Sequence, residues 1–557
     1  MYNLLVGGAA GQGIETSVAL LQKLLKNSGY YVFTSRDFMS RVRGGHNFSL
    51  LRFGSEPVMS HSDVLDGIIA FDEATTELHR DKLKPEGFIL CDSKIVSKDT
   101  RTLAIDMASI GKQLGNPRIM GSVAIGIVLK LFGIQPKELD RALSEFIKEQ
   151  YIEVNKQALL QGYDLVEQRI HLDEPQEKEL LILSGNEALG LGAIAAGLQY
   201  YSAYPMSPST TILEYLASQA DQAEIVVEQA EDEIAAINMA IGASFAGAVS
   251  MTGTSGGGFC LMVEALGLSG IAEIPLVVVD VQRPGPATGL PTRTEQSDLK
   301  FVISASHGEF PRMVIALRNH TDAFYQTARA LFLAEKYQIP VILLSDQYLG
   351  DSYASVETYD LSKVQVVKPL DVEAVEEGDY LRYRYTEDGI SPRLVPGKTR
   401  NFVAADSDEH DEHGYITEES EVRIRMMDKR MNKLELLKED LQEPEFMGSE
   451  SFDYLIVGWG STYGPIAEAV TLLNKEGEEK FAALVFGDVY PLPQKLLKEM
   501  APKAKKIINV EQNATGQLAD LIREQSTIQC NASILKYDGR QLSGEEIVKR
   551  MKKEVLQ

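Results

Sequence analysis

Residues 224–258 read "EIVVEQAEDEIAAINMAIGASFAGAVSMTGTSGGG", and their hydrophobic period changes along the way. "EIVVEQ" is a short β-branched run. "DEIAAINMAIGASF" is apolar at helical spacing, and "GAVSMTGT" is a second strand that runs straight into a glycine triplet. Strand, helix, strand and glycine turn form a βαβ pattern, whose parallel strands are buried beneath their crossover helices. "IPLVVVDV" and "IPVILLSD" continue the alternation. Upstream, "YNLLVGG", the amphipathic "IETSVALLQKLLKNSG" and "YYVFTS" read β-loop-α-β. "GIIAF", "GFILCDS" and "TLAIDM" follow as strands, then "SVAIGIVLKLFG" and "PKELDRALSEFIKEQ" as helices, so a mostly parallel sheet is expected there too. Near the far end, "FDYLIVGWGSTYGPIAEAVTLL", "AALVFGD" and "KKIINVEQ" repeat the pattern.

At 557 residues the chain is too long for one core. The α/β texture breaks from about Ala354 to Glu450, where "ADSDEHDEHGYITEESE" is a charge run and "RIRMMDKRMNKLELLKEDL" one charged helix. The expected division is 1–175, 180–353, an irregular connector 354–450, and 451–557. The 55 Lys and Arg against 80 Asp and Glu give a net charge of −25, which argues against a nucleic-acid partner. Cys91, Cys260 and Cys530 lie too far apart for a CxxC zinc site and are too few for an ordinary iron–sulfur cluster. No apolar run reaches the roughly 18 residues of a membrane span. "MYNLLVGGAAGQGIE" has no basic region leading an apolar one, so a reducing cytoplasm is the expected compartment.

Several stretches carry candidate chemistry. Glu231, Asp232 and Glu233 sit where a helix dipole favours anions. Glu233 leads the apolar Ile234, Ala235, Ile237, Ala240 and Ile241, so its helix reads as deeply buried and its carboxyl as a candidate for proton work. Gly256, Gly257 and Gly258 suggest close approach of a backbone or a flat ligand. "YPMSPST" (Tyr204–Thr210) is either a stiff turn or a rigid mount for its hydroxyls, with Ser207 as N-cap and Pro208 as the first helical residue. "QRPGPATGLPTRTEQSD" is long for a loop; Arg283 and Arg293 are carboxylate holders or surface arginines.

"GGAAGQG" with Gly11 and Gly13, and "GWGSTYG" from Gly458 to Gly464, are phosphate loops or tight turns; neither completes G-x-G-x-x-G or ends in Gly-Lys-Ser/Thr. "SRVRGGHNFSLLR" places Arg41, Arg43 and Arg52 around a glycine pair, as a diphosphate clamp or a hairpin surface. "DEHDEHG" groups His410 and His413 with carboxylates, but reads as a solvated or interface charge run rather than a metal site.

Taken in order, "GGAAGQGI", "RGGH", "YPMSPST", "EDEIAAINMAIGAS", "TGTSGGG", "RPGPATGLPTRTEQSDL", "YLRYRYTEDGISPR", "EHDEHG" and "VEQNATGQL" resemble the alpha subunits of 2-oxoacid:ferredoxin oxidoreductases with a gamma domain fused ahead of alpha. The 2-oxoglutarate-type enzymes are the most similar. The resemblance implies a gamma-type α/β domain over 1–175, linked to coenzyme A through Gly11, Gly13 and Arg43. It implies a thiamine-diphosphate pyrimidine-binding domain over 180–353 and a transketolase C-terminal-like domain over 451–557.

It also assigns Glu233 to N1′ of the aminopyrimidine, so that the imino tautomer can deprotonate the thiazolium C2. Gly256 and Gly257 would let the ring approach. Tyr204, Ser207 (where the family has threonine), Arg293 and Arg283 would meet the oxoacid. The family's Gly-Asp-Gly motif is absent here. Diphosphate, Mg²⁺ and a [4Fe–4S] cluster are therefore expected from a beta subunit, which would pass electrons to ferredoxin in a dimer of alpha–beta. Other expectations left open are pyruvate or a branched-chain or aryl oxoacid as substrate, an NAD- or FAD-binding oxidoreductase component, and a non-catalytic scaffold.

Overall fold

The computed structural model describes residues 1–38, 45–116, 119–175, 178–367 and 380–556. The chain divides into two compact units. The first is Met1–Ser184 with Asp351–Tyr359 and Ser543–Glu546; the second is Gly185–Gly350 with Asp360–Leu542 and Ile547–Gln557.

In the first unit the strands Thr102–Ile105, Leu83–Asp92, Leu65–Ala70 and Tyr2–Ala9 lie parallel, each beside the next. His46–Gly54, Tyr31–Asp37, Tyr353–Glu357 and Leu180–Ser184 then extend the sheet, all antiparallel. A mostly parallel sheet was expected, and half of this one is not. For Tyr31–Asp37 beside His46–Gly54 the reason is chain length: eight intervening residues are too few for the helical crossover that parallel neighbours require. Helices Ile14–Asn27 and Met120–Leu131 cover one face, burying Leu21, Leu24, Val123 and Ile127 against Leu4, Val32 and Phe53.

In the second unit a seven-stranded sheet runs Asp488–Tyr490, Met313–Ala316, Pro340–Asp346, Leu276–Gln282, Ser250–Thr254, Tyr200–Ala203, Val226–Gln229. It is parallel except for its first strand. "LVVVDVQ" and "PVILLSD" are buried at every position, as strands covered on both faces must be. A five-stranded sheet, Glu445–Gly448, Phe481–Phe486, Tyr454–Trp459, Lys506–Glu511, Ala532–Leu535, has the same plan. Trp459, Leu484 and Phe486 share one core with Ile237, Phe259 and Leu276.

The charged helix expected in the connector is Ser420–Leu437, and it is not a solvated rod. Lys429 Nζ donates to both oxygens of Glu273 at 2.6 and 2.8 Å, and Lys433 Nζ donates to Oε2 at 2.5 Å. All three side chains are at most 2% exposed. Arg382 donates to the carbonyls of Ala272 and Glu273 and to Gln338 Oε1.

The "DEHDEHG" segment is likewise folded in. His410 is fully buried against Tyr383, and Glu409 pairs with Arg423 and Arg430. Among the described residues no group of three or more His, Cys, Asp or Glu could hold a metal. Of the solvated and interface readings, the solvated one does not hold throughout, because Arg430 and Tyr383 supply buried partners that lie outside the segment.

"GWGSTYG" is a tight turn filled by protein. Thr462 Oγ1 bonds the N–H and C=O of Trp459, and Gln296 Nε2 donates to the same carbonyl. A side chain at Gly458 would collide with Ile466. Glu511, fully buried, accepts from Trp459 Nε1 at 2.9 Å, from Asn509 and Asn513, and from the N–H groups of Leu518 and Ala519. Glu511→Gln places an amide donor among those donors. We expect a loss of about 2 kcal/mol, read as a lower melting temperature and altered emission from Trp459, the single tryptophan.

Candidate active site

In parallel α/β sheets ligands gather beyond the carboxyl ends of the strands. Here three such ends meet. Tyr200–Ala203 opens into Tyr204–Ser209, Ser250–Thr254 into Ser255 and the helix Gly256–Ile271, and Leu276–Gln282 into the loop that ends at Asp298. The helix Glu233–Phe245 begins just past a fourth strand end, Gln229.

Glu233 is 3% exposed, and its Oε1 is a buried oxygen without a hydrogen-bond partner. Asp232, not Glu233, caps the helix by accepting from Ala235 N at 2.7 Å, so the glutamate carboxyl is spared that duty. A Cβ on Gly258 would lie 2.5 Å from Glu233 Oε1 and would also meet Thr254 Oγ1. Thr254 Oγ1 is 3.8 Å from Met206 Sδ, which brings the "YPMSPST" turn to the same place. On Gly256 a Cβ would lie 2.5 Å from Asp298 Oδ2, whereas Gly257 is exposed, with nothing nearer to its Cβ position than the Ala287 carbonyl at 3.9 Å. The triplet thus packs on protein at its first and third members and is open at the middle one.

The Glu233 helix departs from the deep burial expected of it. Ile234 is 50% and Met239 37% exposed. Apolar residues lie on more than one side of the helix, yet the side carrying Ile234 has no cover among the described residues. Gly258→Ala should leave the fold intact and push the Glu233 carboxyl aside. In the complex that the resemblance implies, kcat is expected to fall at least about tenfold, measured beside the melting temperature.

The turn itself differs from the expected cap. The helix is Thr210–Ala223, with Ser209 at its N-cap, and the Ser207–Pro208 peptide is cis. Ser209 N and Oγ both donate to Met206 O, closing a tight turn ahead of the helix, so Ser207 lies outside it. Asn186 Nδ2 donates to the Pro208 carbonyl at 2.9 Å and to Thr211 Oγ1 at 2.7 Å. Arg283 Nη1 donates to the Ser207 carbonyl at 2.6 Å. Tyr204 and Ser207 are exposed at this rim. Arg293 sits further along the loop, its stem beside Gly539, whose carbonyl accepts from Thr294 N. Thr254, Asn186, Asp280 and Asp298 were not singled out from the sequence. Thr254 and Asp298 lay inside stretches already flagged, but only tertiary contacts distinguish them from neighbouring polar residues.

In the first unit Gly11 (φ +92°) and Gly13 (φ +77°) hold left-handed conformations, and Gly13 caps the helix Ile14–Asn27. They line a cavity of about 420 Å³ together with Arg36, Asp37, Asn47 and Ser49. Arg41 and Arg43 lie outside the described residues, and Arg52 donates to the Ser60 carbonyl. Nearby, His46 and His79 face each other with Nε2 atoms 2.8 Å apart. Burial lowers both imidazoles, His79 to about 4, so neither carries a charge at neutral pH.

Residues 191–429 match the family model described as pyruvate flavodoxin/ferredoxin oxidoreductase, thiamine diphosphate-binding, and residues 3–165 match pyruvate ferredoxin/flavodoxin oxidoreductase. The fold is that of the thiamine-diphosphate-dependent oxidoreductases. The chain is 34% identical to the 2-oxoacid:ferredoxin oxidoreductase subunit alpha of a Sulfolobus species, over 97% of this chain and 95% of that one. It is 33% identical to subunit alpha of 2-oxoacid:ferredoxin oxidoreductase 1 from Sulfurisphaera tokodaii, over 97% and 96%. A solved structure of 2-oxoglutarate:ferredoxin oxidoreductase from Magnetococcus marinus, with 2-oxoglutarate, coenzyme A and succinyl-CoA bound, is 34% identical and superposes with a TM-score of 0.93 over 99% of both chains. The chain belongs to the alpha-subunit family of the 2-oxoacid:ferredoxin oxidoreductases, and it is one subunit of a multi-subunit enzyme. Among the described residues no helix is long and apolar enough to cross a membrane.

Proposed function

We propose that this chain is the gamma–alpha fused subunit of a cytoplasmic enzyme that decarboxylates 2-oxoglutarate oxidatively. The acyl group would pass to coenzyme A, with CO₂ released and two electrons delivered to ferredoxin. The observation that carries this reading is the full-length likeness to the Magnetococcus enzyme solved with those ligands. In this reading residues 1–175 form the gamma-type domain, 180–353 the pyrimidine-binding domain, 354–450 the connector and 451–557 the transketolase C-terminal-like domain.

The residues present fit the aminopyrimidine of thiamine diphosphate. A buried carboxyl oxygen has no partner, and the adjacent glycine turn has an open middle residue. Glu233 would hold a proton at N1′, while Gly257 leaves room for the ring; Gly256 is instead packed against Asp298. When bound, the cofactor supplies the nucleophilic carbon and the electron sink that the side chains lack. Ser207 and Tyr204 face the oxoacid with Arg293. Arg283 steadies the Ser207 carbonyl and presents its remaining N–H groups to a carboxylate. Gly11, Gly13 and Arg43 take the anionic part of coenzyme A. A beta subunit carries the diphosphate, Mg²⁺ and [4Fe–4S] cluster, in a dimer of alpha–beta.

The co-expressed complex assayed on a panel of 2-oxoacids tests this. The highest kcat/KM is expected on 2-oxoglutarate and only with coenzyme A present. Preference for pyruvate, or for a branched-chain or aryl oxoacid, overturns the substrate assignment. Turnover with NAD or a flavin in place of ferredoxin and coenzyme A overturns the class.

A further inference from the structure

Near the head of the helix Gly256–Ile271 lie two acids that the proposed chemistry does not use. Asp280 is fully buried, and neither of its carboxyl oxygens has a hydrogen-bond partner. Asp298 Oδ2 is buried and also unpartnered. No described Lys, Arg or His forms an ion pair with either, although most buried charges are paired.

The topology brings the two together. Asp280 is the register partner of Thr254 on the neighbouring strand, and Ser255 and Gly256 follow Thr254 directly. Asp280 and Gln282 lie two apart on one strand and so share a face. Gln282 Oε1 accepts the Asp298 N–H at 3.0 Å, which lays the Asp298 backbone on that face. From there Asp298 Oδ2 reaches to 2.5 Å from the Gly256 Cβ position. Ser255 Oγ, next in sequence to Thr254, is likewise buried and unpartnered.

We propose that Asp280 and Asp298 share a single proton, forming a carboxyl–carboxylate pair that positions the Thr254–Gly258 turn. Two uncompensated anions at this depth cost far more than one. A shared proton also gives each carboxyl a partner and leaves one negative charge at a helix N-terminus, where the dipole favours it. Burial and the charge of Asp298 raise Asp280 well above the ordinary carboxylate range; burial and Glu295 raise Asp298 to about 6. The other titratable group acting with them, Cys260 on the same helix, is itself raised by burial and by both acids. None of these neighbours is cationic. The turn carries Gly258, against which Glu233 rests, so the pair acts as a set of positioning residues for that carboxyl.

Infrared difference spectra of the full chain at neutral pH test the proton. A protonated-carboxyl C=O band is expected in the wild type and lost in Asp280→Asn; an unchanged band overturns the proposal. A raised carboxyl pKa means the folded state keeps a proton that the unfolded chain has released, so the contribution of Asp298 to stability falls as pH rises from 3.8 to about 6. The melting-temperature difference between Asp298→Asn and wild type should therefore widen over that window and then level off. A constant difference counts against the pair. If Mg²⁺, Ca²⁺ or K⁺ stabilises the wild type but not Asp280→Asn, a cation rather than a proton joins the acids and the proposal fails. The positioning role rests on the reading of Glu233 above and is tested separately in the complete enzyme. Asp298→Asn is expected to move the acid limb of the kcat–pH profile with little change in KM, and an unmoved limb removes the positioning role while leaving the shared proton intact.

Discussion

Glu233→Gln in the complete enzyme is expected to lower kcat by about 10²- to 10⁴-fold, the usual weight of a positioned proton-transfer group. The amide matches the carboxyl in size and burial, so packing is preserved. Helix capping is preserved too, because Asp232 supplies the cap. What is lost is the ability to hold and return a proton at a ring nitrogen, since an amide oxygen is far less basic than a carboxylate. KM for the oxoacid should change little, because the carboxyl acts on cofactor rather than substrate. The check pairs steady-state kinetics with the melting temperature of the isolated chain. Near-wild-type activity would remove Glu233 from the mechanism. A collapse in stability would reassign it to the fold.

Glu273→Ala is expected to cost about 3–5 kcal/mol, the price of leaving buried charge unpaired. Burial alone would raise the Glu273 carboxyl, but Lys433, Lys429 and Arg382 outweigh it and hold it well below the ordinary carboxylate range. One anion shared by two ammonium groups is itself well stabilised, while each cation is held less securely. Burial pushes Lys433 down to about 8 against the pull of Glu273, and lowers Lys429 as well.

The signs follow from linkage. The Glu273 contribution is present above its unfolded value of 4.5 and is lost as pH falls below it. For Lys433 the folded value lies below the unfolded 10.5, so a penalty present below about 8 is relieved as pH rises between them. Lys433→Met, which keeps the Glu273–Lys429 pair, should therefore cost little at neutral pH and abolish the alkaline gain. Denaturant unfolding of the three proteins from acid to alkaline pH measures both effects. Equal destabilisation by Glu273→Ala and Lys433→Met would show that packing, not charge, holds the Ser420–Leu437 helix in place.

Much of the second unit was legible because burial on both faces of a parallel strand leaves a local signature. "IPLVVVDV", "IPVILLSD" and "GAVSMTGT" could be placed without knowing their neighbours. Glu233 was legible for a similar reason, as a carboxylate leading an apolar helix. The antiparallel half of the first sheet was legible only in part: "YYVFTS" reads as a strand, but the direction of its pairing does not, because partners are recruited from distant segments such as Tyr353–Glu357. The cap on "YPMSPST" was misplaced because serines at 207 and 209 are equally good caps on paper. The Met206–Ser209 turn decides between them.

The sequence by itself determined the α/β class, the family and the candidate residues, since these depend on period, glycine placement and ordered motifs along one chain. Only the tertiary structure decided which of those residues meet. It set Glu233 against Gly258 and Thr254, turned Arg283 onto the Ser207 carbonyl, drew the charged connector helix onto Glu273, and brought Asp280 beside Asp298. Side chains far apart in sequence meet where strands end in register, and hydrophobic period along a chain encodes burial without encoding which polar groups will be buried together.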